Sequence, residues 1–286
     1  MMIRSLFFAP ANRPELVVKF PRFAADCSVI DLEDGTPHDE KAQARERLAD
    51  TVSRVRAAGL QGKLVVRVNE PASPHYLDDL AAAFASDVDG IVIPKLEDPK
   101  QAFPAAHWIG RLDGTAPRAQ RRFIVGGLES VRGVLKAAEV CELTPHLAAV
   151  YFGAEDFTAE MGARRTREGA EVATARAMVV MAARAARLVA IDQAVVDIRD
   201  DALYRADAAV GRDLGYQGKI CVAPAQVVLA HGAYAPSVEE RTYAQRLVAA
   251  YESASARGIG TIDFEGRMVD GPLLKRALAV LAMPAA

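Results

Sequence analysis

Cysteine is scarce in this chain, with three residues, Cys27, Cys141 and Cys221, in 286. They follow no metal-like spacing, and each lies in or beside an apolar run. This excludes a disulfide framework or a thiolate metal site and points to buried, reduced thiols in a cytoplasmic protein. No apolar run approaches the ~20 residues of a membrane span. The first eight residues start like a secretory leader, but the run is too short, Pro10 and charged residues follow at once, and no small-residue cleavage site is evident. Charge of one sign is also missing. Lys plus Arg is 35 and Asp plus Glu is 37, a net −2, so nothing draws the whole chain to nucleic acid or to an anionic membrane. The histidines (His38, His75, His107, His146, His231) are scattered without ligand spacing, which argues against zinc. A G-x-G-x-x-G turn is absent too.

What is present is a globular balance, 51% hydrophobic and 25% charged. Short, nearly all-apolar runs alternate with helical patterns. Strands are expected near Ile3–Ala9, Cys27–Leu32, Lys63–Val68, Gly90–Pro94, Arg122–Gly126, Ala148–Phe152, Leu188–Ile191 and Lys219–Val222. Apolar strands of this kind are buried on both faces, as in a parallel sheet. Period-3.6 patterns cover Lys41–Ala58, Ser130–Glu142, Glu168–Arg187 and Asp201–Leu214, and Gly59, Gly110 and Gly215 fall where helices should stop. Eightfold strand–helix alternation favours a TIM (β/α)8 barrel. An open doubly wound sheet is the alternative, but it would want the missing glycine-rich phosphate turn. The expected division is a barrel over residues 1–230 and a helical extension over 231–286. The extension holds a helix at Val238–Arg257, a link at Gly258–Gly260 and a last helix from Pro272. It is too short to stand as a domain and is expected to lack a core of its own, so it should pack on the barrel or on a neighbouring subunit.

A barrel places its active site at the C-terminal ends of the strands. The polar residues there are Asp31, Glu33 and Asp34 after the second strand, Arg67 and Asn69 after the third, Lys95 after the fourth, Glu129 after the fifth, and Glu155 and Asp156 after the sixth. Glu129 and Asp156 end adjacent strands. Two carboxylates that close call for a cation, and a carboxylate pair with open positions is the usual Mg²⁺ arrangement. Plainer roles stand beside these: Asp34 as a turn former before Gly35, Glu129 and Asp156 in the first turns of helices, and Arg67 as a structural partner of Glu33. The run Arg164-Arg165-Thr166-Arg167 is a local basic patch suited at most to a small anion.

Several segments together resemble the citrate lyase β-subunit-like proteins of the HpcH/HpaI aldolase superfamily, which includes malyl-CoA and citramalyl-CoA lyases. They are Pro10-Ala11-Asn12-Arg13-Pro14, Ile30-Asp31-Leu32-Glu33-Asp34-Gly35, Val66-Arg67-Val68-Asn69, Leu128-Glu129-Ser130, Phe152-Gly153-Ala154-Glu155-Asp156, Gly218-Lys219-Ile220 and Gly266-Arg267-Met268-Val269-Asp270-Gly271-Pro272. The resemblance spans nearly the whole chain. It implies a TIM barrel that cleaves or forms a C–C bond in a β-hydroxyacyl-CoA thioester, giving acetyl-CoA and a small 2-oxo acid. It implies Mg²⁺, with Mn²⁺ as the alternative ion, on Glu129 and Asp156, with Glu33 and Asp34 one layer behind. Arg67 would contact substrate and steady the enolate oxyanion. Asp270 would move a proton at carbon from a neighbouring subunit, in a trimer or a hexamer of trimers. Arg13 and Lys19 would help to bind CoA. A thioesterase, an aldolase on a non-thioester 2-oxo acid, and a carrier-dependent subunit are the alternatives. Two departures from the family pattern stand out. Ala223 replaces a histidine expected at the floor of the site, and Gly126-Gly127 replace bulkier residues, as though to let the backbone approach a ligand.

Overall fold

The computed structural model describes residues 1–114, 116–117 and 121–283. Strands β1 (Ser5–Pro10), β2 (Cys27–Asp31), β3 (Lys63–Arg67), β4 (Gly90–Ile93), β5 (Phe123–Leu128), β6 (Leu147–Phe152), β7 (Val189–Asp192) and β8 (Gly218–Cys221) close into a parallel barrel, with β8 pairing back onto β1. The architecture is the TIM barrel expected from the alternation. Around it in chain order run α1 (Pro14–Val17), α2 (Lys41–Ala57), α3 (Tyr76–Phe84), α4 (Phe103–Asp113), α5 (Val131–Leu135), α6 (Ala137–Leu143), α7 (Ala154–Met161), α8 (Ala173–Ala185), α9 (Asp201–Leu214) and α10 (Pro224–Ala233).

The strands are apolar on both sides because both are covered. Leu6, Val29, Val65, Val92, Val125, Ala149, Val189, Ile191 and Ile220 belong to one buried cluster that fills the barrel. The alternate residues Ile30, Val66, Ile91, Ile124 and Val150 are also fully buried, on the opposite side of the sheet. The last repeats are tied by charge. Lys219 on β8 is fully buried, donates to Gln193 O at 2.7 Å, and meets Asp207 and Asp192. Arg176 on α8 binds the same two aspartates. Two cations thus face two carboxylates, the balance a buried cluster needs. The lysine of the Gly218-Lys219-Ile220 motif therefore works inside the fold.

Two helix boundaries differ from expectation. The Ser130–Glu142 segment is two helices, α5 and α6, meeting at Lys136. Gly110 sits inside α4, and the helix ends instead at Gly114, whose φ of +45° suits a residue without a Cβ.

The described chain divides into two compact units, Met1–Ala230 and His231–Ala286. The second holds α11 (Val238–Ser255), a hairpin of β9 (Ile262–Phe264) and β10 (Arg267–Val269), and α12 (Gly271–Ala282). Ser237 and Glu240 cap α11 reciprocally. Contrary to expectation, this unit has a small core of its own. Ala244, Leu247, Val269 and Ala277 are buried, with Tyr243, Tyr251 and Phe264 packed against them. The unforeseen hairpin supplies it, by laying Val269 and Phe264 against the apolar stripes of the two helices. No helix among the described residues is long and apolar enough to cross a membrane.

Candidate active site

A cavity of about 480 Å³ opens at the C-terminal ends of the strands. Its acidic lining residues are Asp31, Asp34, Glu129, Glu155 and Asp156, and its apolar ones include Phe8, Ala194, Val196, Ile220 and Val222. Arg67 is the one cation among the described lining residues.

Arg67 ends β3 and is in register with Asp31 at the end of β2. Their side chains meet two-pronged, Nε to Oδ1 at 2.7 Å and Nη2 to Oδ2 at 2.6 Å. Nη1 lies 2.8 Å from Glu33 Oε2, and the guanidinium stands over the Phe8 ring at 5.1 Å from its centre. The partnership expected with Glu33 exists, but the stronger one is with Asp31, which the sequence motif contained without marking its role. Asp31 also accepts the backbone N–H groups of Glu33 and Gly35, both at 2.9 Å. A Cβ at Gly35 would fall 2.4 Å from Asp31 Oδ2, so the tight turn needs glycine there. Lys41 donates to the carbonyls of Leu32 and Glu33, and Asn69 to that of Leu32, which fixes the loop after β2 from two sides.

Glu129 is buried just past β5. Its Oε1 accepts from Lys95 N and from the Tyr151 hydroxyl, each at 2.8 Å. Burial, with help from Asp156, pushes its carboxyl up, against the pull of Arg67. Burial raises Glu33 to about 8, outweighing Arg67 and Lys95 beside it. A Cβ at Gly153 would fall 2.3 Å from Glu129 Oε2 and Cβ, and one at Gly127 would fall 2.4 Å from the Tyr151 hydroxyl. Gly126-Gly127 thus make room for the protein's own groups. A Cβ at Gly126 would meet Leu96, Leu147 and Val150, and Gly127 clears the way for the Tyr151–Glu129 bond. Asp156 stands in the first turn of α7, partly exposed, with Lys95 Nζ 3.7 Å from its Oδ1. Lys95 has a left-handed backbone, φ +47°, which a residue with a Cβ adopts at a cost of about 1–2 kcal/mol. Asp34 is exposed at the rim.

Glu33 is not in this lining, and neither are several other positions that the sequence singles out. Arg13 is exposed, pairs with Glu15 at 2.5 Å and, like Lys19, does not line the cavity. Ala223 is not in the lining either. Gln226, three residues on, accepts from Val222 N and Ala223 N and donates to Val195 O, so the motif after β8 turns the chain into α10. Asp270 lies in the second unit at the N-cap position of α12, yet its side chain caps nothing. Its Oδ1 is a buried oxygen without a hydrogen-bond partner. In the Arg164–Arg167 run, Arg165 is bound by Glu155 and Glu171 and Arg167 by Asp200, which commits two of its three guanidinium groups to the protein.

No cluster of three or more His, Cys, Asp or Glu among the described residues is arranged to hold a metal ion. The Glu129–Asp156 pair nonetheless suits Mg²⁺, which needs only one or two carboxylates and completes its shell with water and substrate. Glu129 Oε2 has no protein donor among the described residues, and the Gly153 cradle keeps it clear.

A TIM barrel whose strand ends bring a carboxylate pair and a clamped arginine to one cavity has the layout of a barrel enzyme's active site. The chain belongs to the HpcH/HpaI aldolase/citrate lyase family, whose model matches residues 4–224. It is 41% identical over 283 residues to a citrate lyase subunit beta-like protein of Deinococcus radiodurans, covering 98% of this chain and 97% of that one. It is 32% identical to human mitochondrial citramalyl-CoA lyase, over 96% of this chain and 83% of that one. Among solved structures, CitE of Mycobacterium tuberculosis in complex with magnesium, acetoacetate and coenzyme A superposes with a TM-score of 0.80, at 30% identity and with 98% and 97% coverage.

Proposed function

We propose that this chain is a Mg²⁺-dependent lyase that cleaves, or forms, a β-hydroxyacyl-CoA such as citramalyl-CoA or malyl-CoA, giving acetyl-CoA and a 2-oxo acid. The observation that carries this reading is that Glu129, Asp156 and Arg67 line one cavity, with Arg67 held from behind by Asp31. Glu129 and Asp156 would hold the ion. When bound, Mg²⁺ supplies a Lewis acid and a template for the carboxylate and keto oxygens of the oxo acid. Asp34 orders water at the rim, and Glu33 stands between Arg67 and Lys95 and holds both in place. Arg67 faces the thioester oxygen as the acetyl-CoA enolate develops, a permanent charge aimed at a forming one. In cleavage the β-hydroxyl gives its proton to water as the C–C bond breaks, and Asp270 of a neighbouring copy, protonated beforehand, delivers a proton to the enolate carbon; in the reverse direction it takes one from the methyl group. Its unbonded carboxylate oxygen supports this role, and the role requires an oligomer, a trimer or a pair of trimers. Arg13 and Lys19 lie outside the cavity and are assigned to the CoA phosphates. Buried, unpaired thiols fit a reducing cytoplasm.

The cavity also favours a class of oxo acid. Arg67, the one cation among the described lining residues, is paired with Asp31, and the nearby Lys95 ammonium is engaged by Glu33 and Asp156, so a second carboxylate on the oxo acid would find no uncommitted cation. Pyruvate or glyoxylate fits better than oxaloacetate. Titration calorimetry tests this directly. Pyruvate should bind in Mg²⁺ and not in EDTA, more tightly than oxaloacetate, and Glu129→Gln should lose it. Pyruvate binding unaffected by EDTA would overturn the metal assignment.

A further inference from the structure

Lys95 touches both carboxylates of the pair, from two chemically different ends. Its neutral main-chain N–H donates to Glu129 Oε1 at 2.8 Å. Its charged Nζ lies 3.7 Å from Asp156 Oδ1 and 3.3 Å from Glu33 Oε1. The two contacts coincide on one residue whose backbone is in the left-handed region, at φ +47°. Side chains rarely adopt that conformation, and glycine would take it without strain. A lysine here therefore calls for a reason beyond the turn itself.

We infer that Lys95 is an internal competitor for the divalent ion: its amide orients Glu129 to receive the ion, while its ammonium stands against Asp156 and Glu33 and weakens the ion's hold. This rests on the reading of Glu129 and Asp156 as the ion's ligands. An ion on Asp156 would lie within a few Å of the ammonium. At that separation a full like charge changes an equilibrium constant by about tenfold or more, even after the screening that a partly exposed lysine receives. Lys95 is thus a positioning residue: its amide orients Glu129 and its ammonium lowers the affinity of the carboxylate pair for a divalent ion.

The test is titration calorimetry of Mg²⁺ into the full-length protein, comparing wild type with Lys95→Met, Lys95→Gly, Lys95→Arg and Glu129→Gln. Lys95→Gly keeps the left-handed turn and the amide donor, so it reads the charge alone and stands in if Lys95→Met folds poorly. The expected result is that Met and Gly bind Mg²⁺ about tenfold tighter than wild type, while Arg stays near wild type. Structural damage would weaken binding, so tightening is the specific signature. Unchanged or weaker binding in both Met and Gly, with wild-type binding intact and lost in Glu129→Gln, would overturn the competitor role alone. No wild-type binding that Glu129→Gln abolishes would overturn the ligand assignment, and the competitor role with it.

Discussion

Asp31 and Arg67 face each other in register on β2 and β3, and both guanidinium contacts fall at 2.7 Å or less. The aspartate fixes where the Arg67 guanidinium points. Replacing it by asparagine removes the carboxylate charge and one of the two acceptors, leaving Glu33 as the nearest carboxyl group to Arg67. Breaking one side of such a largely buried pair should cost about 3 kcal/mol of stability, read as a lower urea midpoint. It should also lower kcat/KM by about 10²–10³-fold, the usual loss when an oxyanion donor is misplaced. Wild-type turnover in Asp31→Asn would contradict the positioning role.

Gly153 has the same kind of leverage on Glu129. A methyl group there would fall 2.3 Å from Glu129 Cβ and Oε2, so the carboxylate must move. Gly153→Ala should destabilise the fold by about 1–3 kcal/mol, as overpacking does. Calorimetry should show Mg²⁺ affinity falling by about tenfold or more. Loss of stability with Mg²⁺ affinity intact would mean that Glu129 is not a ligand.

These relationships mark the limit of what could be read from the residues in order. All eight strands were legible because apolar runs of four to six residues recur between helical patterns. The ring of polar strand ends was legible as a set. Which member meets which was not, because that depends on strand register: Asp31 and Glu33 share a parity, and only the alignment of β2 with β3 selects Asp31 as the two-pronged partner. Gly126-Gly127 misled for a related reason. A glycine makes room, but the sequence does not say for what, and here the occupants are Leu96 and the Tyr151 hydroxyl. The hairpin at Ile262–Val269 was missed because three-residue strands carry almost no periodic signal.

Stability should depend on pH through Glu33. Burial raises its carboxyl from an ordinary 4.5 to about 8. The folded state therefore holds a proton that the unfolded state has released. That stabilisation is complete below about 4.5 and is lost as pH rises through about 8, with a slope of at most about 1.4 kcal/mol per pH unit. Glu129, also raised by burial, pulls in the same direction. Urea midpoints measured in EDTA should fall from pH 5 to pH 8, and Glu33→Gln should flatten part of the fall. A midpoint that rises over that range would contradict the assignment.

Asp270 occupies an N-cap without capping. A working cap would cost about 0.5–2 kcal/mol on conversion to alanine. Asp270→Ala should instead leave thermal stability, assembly and Mg²⁺ affinity unchanged while abolishing cleavage. A clear drop in melting temperature with turnover retained would return this residue to a structural role.

Every role proposed for these residues depends on Mg²⁺-dependent C–C cleavage of an acyl-CoA. Mass spectrometry of products from the purified protein, given citramalyl-CoA or malyl-CoA with Mg²⁺ or with EDTA, tests it most directly. Acetyl-CoA together with pyruvate or glyoxylate, abolished by EDTA, is the expected result. Free CoA with the intact hydroxy diacid, or acetyl-CoA formed equally well in EDTA, would contradict it.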